Sequence, residues 1–332
     1  QMGERSEPIP AIQPGAAMEY NLSTAIKKLS ITSKTVIGLL QGHGEPGISF
    51  MPQAMQAMDV LYTIEPVTLD NPNQDLVKYK TIAIVAPTDT IPPHHFTMLD
   101  DYLAKGGNLF IAMDRVKGDF STVQGTPIET GLETWLAEKG LMVENNFVID
   151  ANCGTVSVRQ GNFPFPVQVP FPYLPKVQTF ADHPITEGIE QVMLQFGSSI
   201  TYTGDTANLY VPLAFSSDKS GTKTTPMYFE VNKRWGDNDF PLSKLTLGAV
   251  LRGQLVGENI SSIVLISDGQ FAINGEGQRG QQLPADNINL MVNSIDWLSD
   301  DTGLIELRTK GVTSRPLDPV DDGKKTFLKW LN

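Results

Sequence analysis

Cysteine and histidine are scarce in this 332-residue chain, which has one Cys and four His. The single thiol, Cys153, excludes an intramolecular disulfide and any metal site built on several cysteines. It leaves an extracytoplasmic location open, because a large core needs no staples. The histidines are His43, His94, His95 and His183. None stands at the i, i+4 spacing a helical zinc site wants, and the adjacent pair sits in the turn-rich Ile91-Pro92-Pro93-His94-His95. They read as exposed histidines at a helix entry, so neither a metal nor a cofactor is expected. Positive charge is also short: 25 Lys+Arg stand against 37 Asp+Glu, a net charge of −12. Binding a phosphate backbone needs a basic face, so nucleic acid is excluded as a partner. No run approaches the ~20 apolar residues that span a bilayer. The start, Gln1-Met2-Gly3-Glu4-Arg5, lacks the apolar centre of a secretory leader, so any membrane anchor is expected in helices outside these residues. What is present, 40% hydrophobic and 19% charged residues, describes a folded protein with ample core.

The order of patterns along the chain predicts an α/β fold, a doubly wound and mostly parallel sheet with a β-rich insertion. Residues 1–20 are Pro- and Gly-rich and read as an N-terminal arm, with a short helix over 21–29. Runs at 35–40, 62–67, 81–86, 108–113 and 146–149 are strands, those at 35–40 and 81–86 apolar throughout, and helices fall at 52–61, 95–105 and 130–139. After Asp150 the helical period fades. Strands at 155–158, 209–213 and 227–231 mark 151–243 as a β-rich insertion or subdomain, which also holds the Pro/aromatic run at 163–175. That run is either a partner-binding loop with rigid aromatic anchors or an edge strand protected by its prolines. Strands at 245–252 and 262–266 and a helix at 286–298 resume the first pattern, so 21–150 and 244–300 form one α/β core. Residues 301–332 read as a membrane-proximal exit, with Phe327, Trp330 and Leu331 beside lysines.

Open parallel sheets bind ligands beyond the carboxyl ends of their strands, so the residues just after each strand are the candidates. They are Gly42, His43, Gly44 and Glu45 after the first strand and Asp89 after the third. Asp114 and Arg115 follow the fourth, and Asp268 follows the strand at 262–266. One reading is a polar pocket, with His43 as an acid/base and Arg115 as an anion contact. The other is that these side chains tie loops together through backbone N–H groups. The signatures of enzymes on this fold are missing: Gly42-His43-Gly44-Glu45 lacks the third glycine of a dinucleotide fingerprint. There is no P-loop, no Gly-x-Ser-x-Gly elbow and no cysteine on a strand–helix turn. No residue is therefore assigned as catalytic.

Several of these motifs together resemble the GldG-like family of gliding-motility-type ABC transporter auxiliary components. The run Val36 to Pro46 is similar to its first strand and GHGE turn, and Tyr102-Leu103-Ala104-Lys105-Gly106-Gly107-Asn108-Leu109 to its helix, Gly-Gly turn and strand. Ser267-Asp268-Gly269-Gln270-Phe271-Ala272-Ile273-Asn274, followed by Asn293-Ser294-Ile295-Asp296-Trp297-Leu298, is similar to its closing motif. Leu304 to Lys310 and Arg315-Pro316-Leu317 resemble the segment that leads to a C-terminal membrane helix. The resemblance implies a flavodoxin-like or glutamine amidotransferase-like sheet without catalytic residues. It also implies a periplasmic domain at the extracytoplasmic face of the inner membrane, anchored and partnered by the membrane subunits of an ABC transport system.

Three functions follow as expectations. The first is a non-catalytic auxiliary domain of a transport system, acting by binding protein or a small ligand. The second is a hydrolase or amidotransferase-like enzyme at the strand edge around His43. The third is a periplasmic binder of a sugar or peptide, with a cleft between the α/β core and 151–243.

Overall fold

The computed structural model describes residues 34–300 except 60, 73, 159–165, 232 and 278–279. The expected arm, the helix at 21–29 and the exit segment 301–332 lie outside the described residues.

Eight strands build the central sheet: β1 (Thr35–Leu40), β2 (Tyr62–Val67), β3 (Thr81–Val85), β4 (Asn108–Ala112), β5 (Thr179–Phe180), β6 (Leu209–Phe215), β7 (Thr246–Gly253) and β8 (Ser261–Ile266). Their order is β5-β6-β7-β8-β4-β3-β1-β2. The five from β8 to β2 run parallel, whereas β7, β6 and β5 are added antiparallel. Strands covered on both faces should be apolar at every position, and β3 and β8 are buried along their whole length.

Alternation then sorts the side chains to two cores. Ala83, Val85, Val264 and Ile266 face a core shared with helices α1 (Pro52–Met58) and α4 (Ala285–Ser299). Ile82, Ile84, Ile263 and Leu265 face the other, with α2 (Pro93–Ala104) and α3 (Leu132–Glu138). Helices on both faces make the sheet doubly wound. Pro93 opens α2, where its missing N–H and fixed φ fit the first turn, and Gly106 at φ +85° follows its end.

Residues 151–243 divide between two environments. Strands β5 and β6 extend the central sheet, residues such as Val177, Ile185 and Val192 pack into the core with α1 and α4, and small antiparallel sheets enclose a third, aromatic core of Phe147, Phe171, Tyr173 and Phe229. The expected strand at 146–149 exists as Asn146–Asp150, but it pairs with Ser220–Thr224 rather than joining the parallel sheet. The Pro-rich run, where described, is a strand, Val167–Val177, paired to Cys153–Val158 with a register shift between Pro170 and Pro175. The strand expected at 227–231 is only Met227–Tyr228.

Candidate functional site

The chain runs from β1 out to β2 and returns on the other side of β1 as β3, so the switch point of the sheet lies between β1 and β3. The turn after β1 needs unusual backbone: Gly42 and Gly44 have φ of +113° and +82°. A Cβ on Gly44 would lie 2.0 Å from Thr88 Oγ1, so only glycine lets this turn close on the loop after β3. The two loops are zipped by Thr88 and Asp89, whose N–H groups both donate to the His43 carbonyl at 2.9 Å. Asp89 itself is exposed.

His43 is buried beneath that zip, 2% exposed, and is held from both ends. Glu45 takes the His43 N–H on Oε2 at 2.6 Å and faces Nδ1 with Oε1 at 3.0 Å. His43 Nε2 meets His95 Nδ1 at 2.8 Å. With both rings neutral, Glu45 accepts from His43 Nδ1–H, and His43 Nε2 accepts from His95 Nδ1–H. The chain of bonds then ends on the lone pair of His95 Nε2. Burial pushes the His95 pKa down, reinforced by His43 and His94 and opposed by Asp70. His95 corrects the expectation of exposed helix-entry histidines: His94 is exposed, but His95 is buried on the first turn of α2.

The neighbouring strand ends carry a second cluster. Asp114 Oδ1 accepts the Gly269 N–H at 2.7 Å, and its Oδ2 accepts from Gln270 Nε2 at 3.0 Å. Asp268 is fully buried; it accepts the N–H of Gln195 at 2.5 Å and of Gln270 at 2.7 Å. Burial raises the Asp114 pKa. Burial and then the Asp114 charge raise that of Asp268 well above the usual carboxylate range. Gly269 is pressed against the loop after β3, since a Cβ there would lie 2.8 Å from that of Ala86. Arg115 lies beside this cluster and donates from Nη1 to the Ile128 carbonyl at 2.6 Å.

The four strand ends therefore share one rim. Gly42, His43, Gly44, Glu45 and Asp89 gather at its β1–β3 side, and Asp114 and Asp268 at its β4–β8 side. Both acidic side chains of the second cluster, and the guanidinium of Arg115, are engaged in holding loops. Of the rim hydroxyls, Ser267 Oγ donates to the Leu247 carbonyl at 3.0 Å, and Thr88 is exposed. Cys153 opens the strand Cys153–Val158 in a different sheet. Sequence reasoning missed His95 and Gln270. The available signal was that the helix after β3 must begin at the same rim.

A family model described as an ABC-type uncharacterized transport system matches residues 34–294. No curated protein is similar enough in sequence to match. Among solved structures, the mmIFT52 N-terminal domain aligns with a TM-score of 0.53 at 13% identity, over 80% of this chain and 98% of that one. At that identity the likeness is one of fold alone. A putative ThuA-like protein from Parabacteroides merdae gives a TM-score of 0.42 at 12% identity, over 86% and 93% of the two chains. A glutamine amidotransferase from Thermotoga maritima gives 0.36 at 10%, over 84% and 91%.

Proposed function

We propose, from the premise that this chain belongs to the ABC-type transport system auxiliary family, that it is a non-catalytic domain working by binding the membrane subunits of that system. An auxiliary component associates with other parts of its transport system. The finer reading places this domain at the extracytoplasmic face of the inner membrane, in a gliding-motility-like system, anchored through helices outside these residues. Among the described residues no helix is long and apolar enough to cross a membrane. The observation that supports binding over catalysis is the use made of the rim. Asp114, Asp268 and Arg115 hold backbone, and the two ring nitrogens of His43 are taken by Glu45 and His95, with no hydroxyl or thiol bonded to them among the described residues. An acyl-transfer site needs a nucleophile within hydrogen-bond reach of its base.

One feature favours the enzyme reading instead. Glu45, His43 and His95 form a buried line of hydrogen bonds that, with both rings neutral, leaves the lone pair of His95 Nε2 as its open end. A single experiment separates the two. The full-length protein is co-expressed with the ATPase and permease of its system, as wild type and as His95→Gln, and both co-purification and transport are measured. The binding reading expects assembly to survive and transport to stay within about twofold, because glutamine preserves a polar group at this position. Normal assembly with abolished transport would overturn it in favour of catalysis.

A further inference from the structure

A cavity lies away from the rim, within 151–243. Its volume is about 720 Å³, within the size range of small-molecule sites. In a chain of net charge −12, three cations line it, Lys219, Lys233 and Arg234, against one carboxylate, Asp237. Apolar walls come from Pro170, Pro172, Trp235 and Phe240. The cavity is built from the 151–243 segment alone, so it is not a cleft between that segment and the parallel core.

The aromatic wall is held in place. Trp235 meets Tyr173 edge-on at 5.8 Å and Phe240 at 5.9 Å, and Lys233 Nζ sits 4.6 Å from the Trp235 ring centre. Lys233 is itself fixed by Asp239 at 2.8 Å and Glu230 at 3.3 Å, so it orients the ring more than it offers free charge. Lys219 pairs with Asp237 at 2.7 Å, but both side chains are mostly exposed, and such a pair is worth little and is easily exchanged. Arg234 is exposed and has no ion-pair partner among the described residues. A guanidinium offers a planar fork suited to two oxygens of a carboxylate or phosphate.

We propose that this cavity binds a small anion carried on a flat apolar body, with Arg234 and Lys219 taking the oxyanion and Trp235, Phe240 and the two prolines taking the body. The proposal stands on this cavity and not on the transport reading, and its test involves no partner subunit.

The only cysteine of the chain, Cys153, lines the same cavity and gives a local readout. Burial raises its pKa, so labelling by a maleimide is followed at mildly alkaline pH. The probes are 1-naphthoate, 1-naphthyl phosphate and the uncharged 1-naphthamide, with tryptophan fluorescence as a parallel signal. Either anion should slow Cys153 labelling with the same half-saturation that quenches fluorescence, and their relative strength separates carboxylate from phosphate ligands. Arg234→Gln, an exposed change that leaves the fold intact, should weaken the anions by about tenfold and leave any amide binding unchanged. Equal binding of the amide, no protection by either anion, or an indifferent Arg234→Gln would each overturn the proposal.

Discussion

Asp114 and Asp268 occupy similar positions, each just beyond a parallel strand, yet their bonding makes opposite predictions for replacement by asparagine. Asp268 uses both oxygens on backbone donors, Gln195 N–H and Gln270 N–H. An amide at 268 would direct its NH₂ at one of them. Asp268→Asn should therefore cost about 1–3 kcal/mol, the penalty of a buried group left without its partner. Asp114 gives one oxygen to Gly269 N–H and the other to the side chain of Gln270, which can rotate to present its carbonyl. Asp114→Asn keeps both bonds and removes the like charge beside Asp268. It should stabilise the protein near neutral pH, on the order of 1 kcal/mol. The pH dependence has a definite sign. Both carboxyls have folded pKa values above their ordinary ones, so the folded state binds protons more tightly than the unfolded chain. Their contribution is greatest below the ordinary carboxylate pKa and is lost as pH rises through the window up to the folded values. Urea titrations at several pH values should show that falling slope flattened in Asp114→Asn. An unchanged slope would rule out the pair as its source.

At the scale of elements, α4 carries more than an apolar face. Asn287, 2% exposed, accepts the Met193 N–H at 3.0 Å and donates to the carbonyls of Met193 at 2.8 Å and Phe271 at 2.7 Å. One amide thus fastens the short strand Val192–Met193 and the loop after β8 to the helix. Asn287→Ala leaves the buried Phe271 carbonyl and the half-buried N–H and carbonyl of Met193 without this partner. It should destabilise by about 2–4 kcal/mol in denaturant, on the scale of one to three for each such group with part recovered by relaxation. Hydrogen exchange should quicken first at Met193, and uniform protection would refute the fastening. The helix itself is legible in the sequence from its apolar spacing, and β1, β3, β4 and β8 from the apolar runs that follow their polar first residues. Asn287 is not, because its task is set by a strand 94 residues away and a loop 16 residues away. Ser220–Thr224 escapes for a related reason: Ser-Gly-Thr-Lys-Thr has no apolar period and becomes a strand only by pairing with Asn146–Asp150. At the rim, the strand-end rule finds His43, Asp114 and Asp268, since topology alone puts them together. His95 depends on a ring-to-ring contact, and the cavity around Arg234 on four distant stretches, neither of which a local pattern encodes.

Across the whole molecule, the parallel core and the segment between its halves share one body of apolar packing. Strand β6 pairs with β7 along most of its length, from Leu209 opposite Arg252 to Phe215 opposite Thr246. Val177, Ile185, Ile189, Val192, Leu194 and Leu213, all from 151–243, are buried in the core formed with α1 and α4. Burying side chains of this size contributes about 1.5–3 kcal/mol each, so removing six forfeits on the order of 10 kcal/mol. That is comparable to the entire stability of an ordinary domain, about 5–15 kcal/mol. It would also leave β7 as a long apolar edge open to pairing with other chains. Joining residue 150 to residue 244 through a short Gly-Ser linker should therefore give an aggregating chain without a cooperative thermal transition. The readouts are near-UV dichroism and light scattering on the purified deletion. A monomer melting cooperatively within about 10 °C of the parent would show that the α/β halves close on their own, and that 151–243 is an appended unit and not a structural part of the sheet.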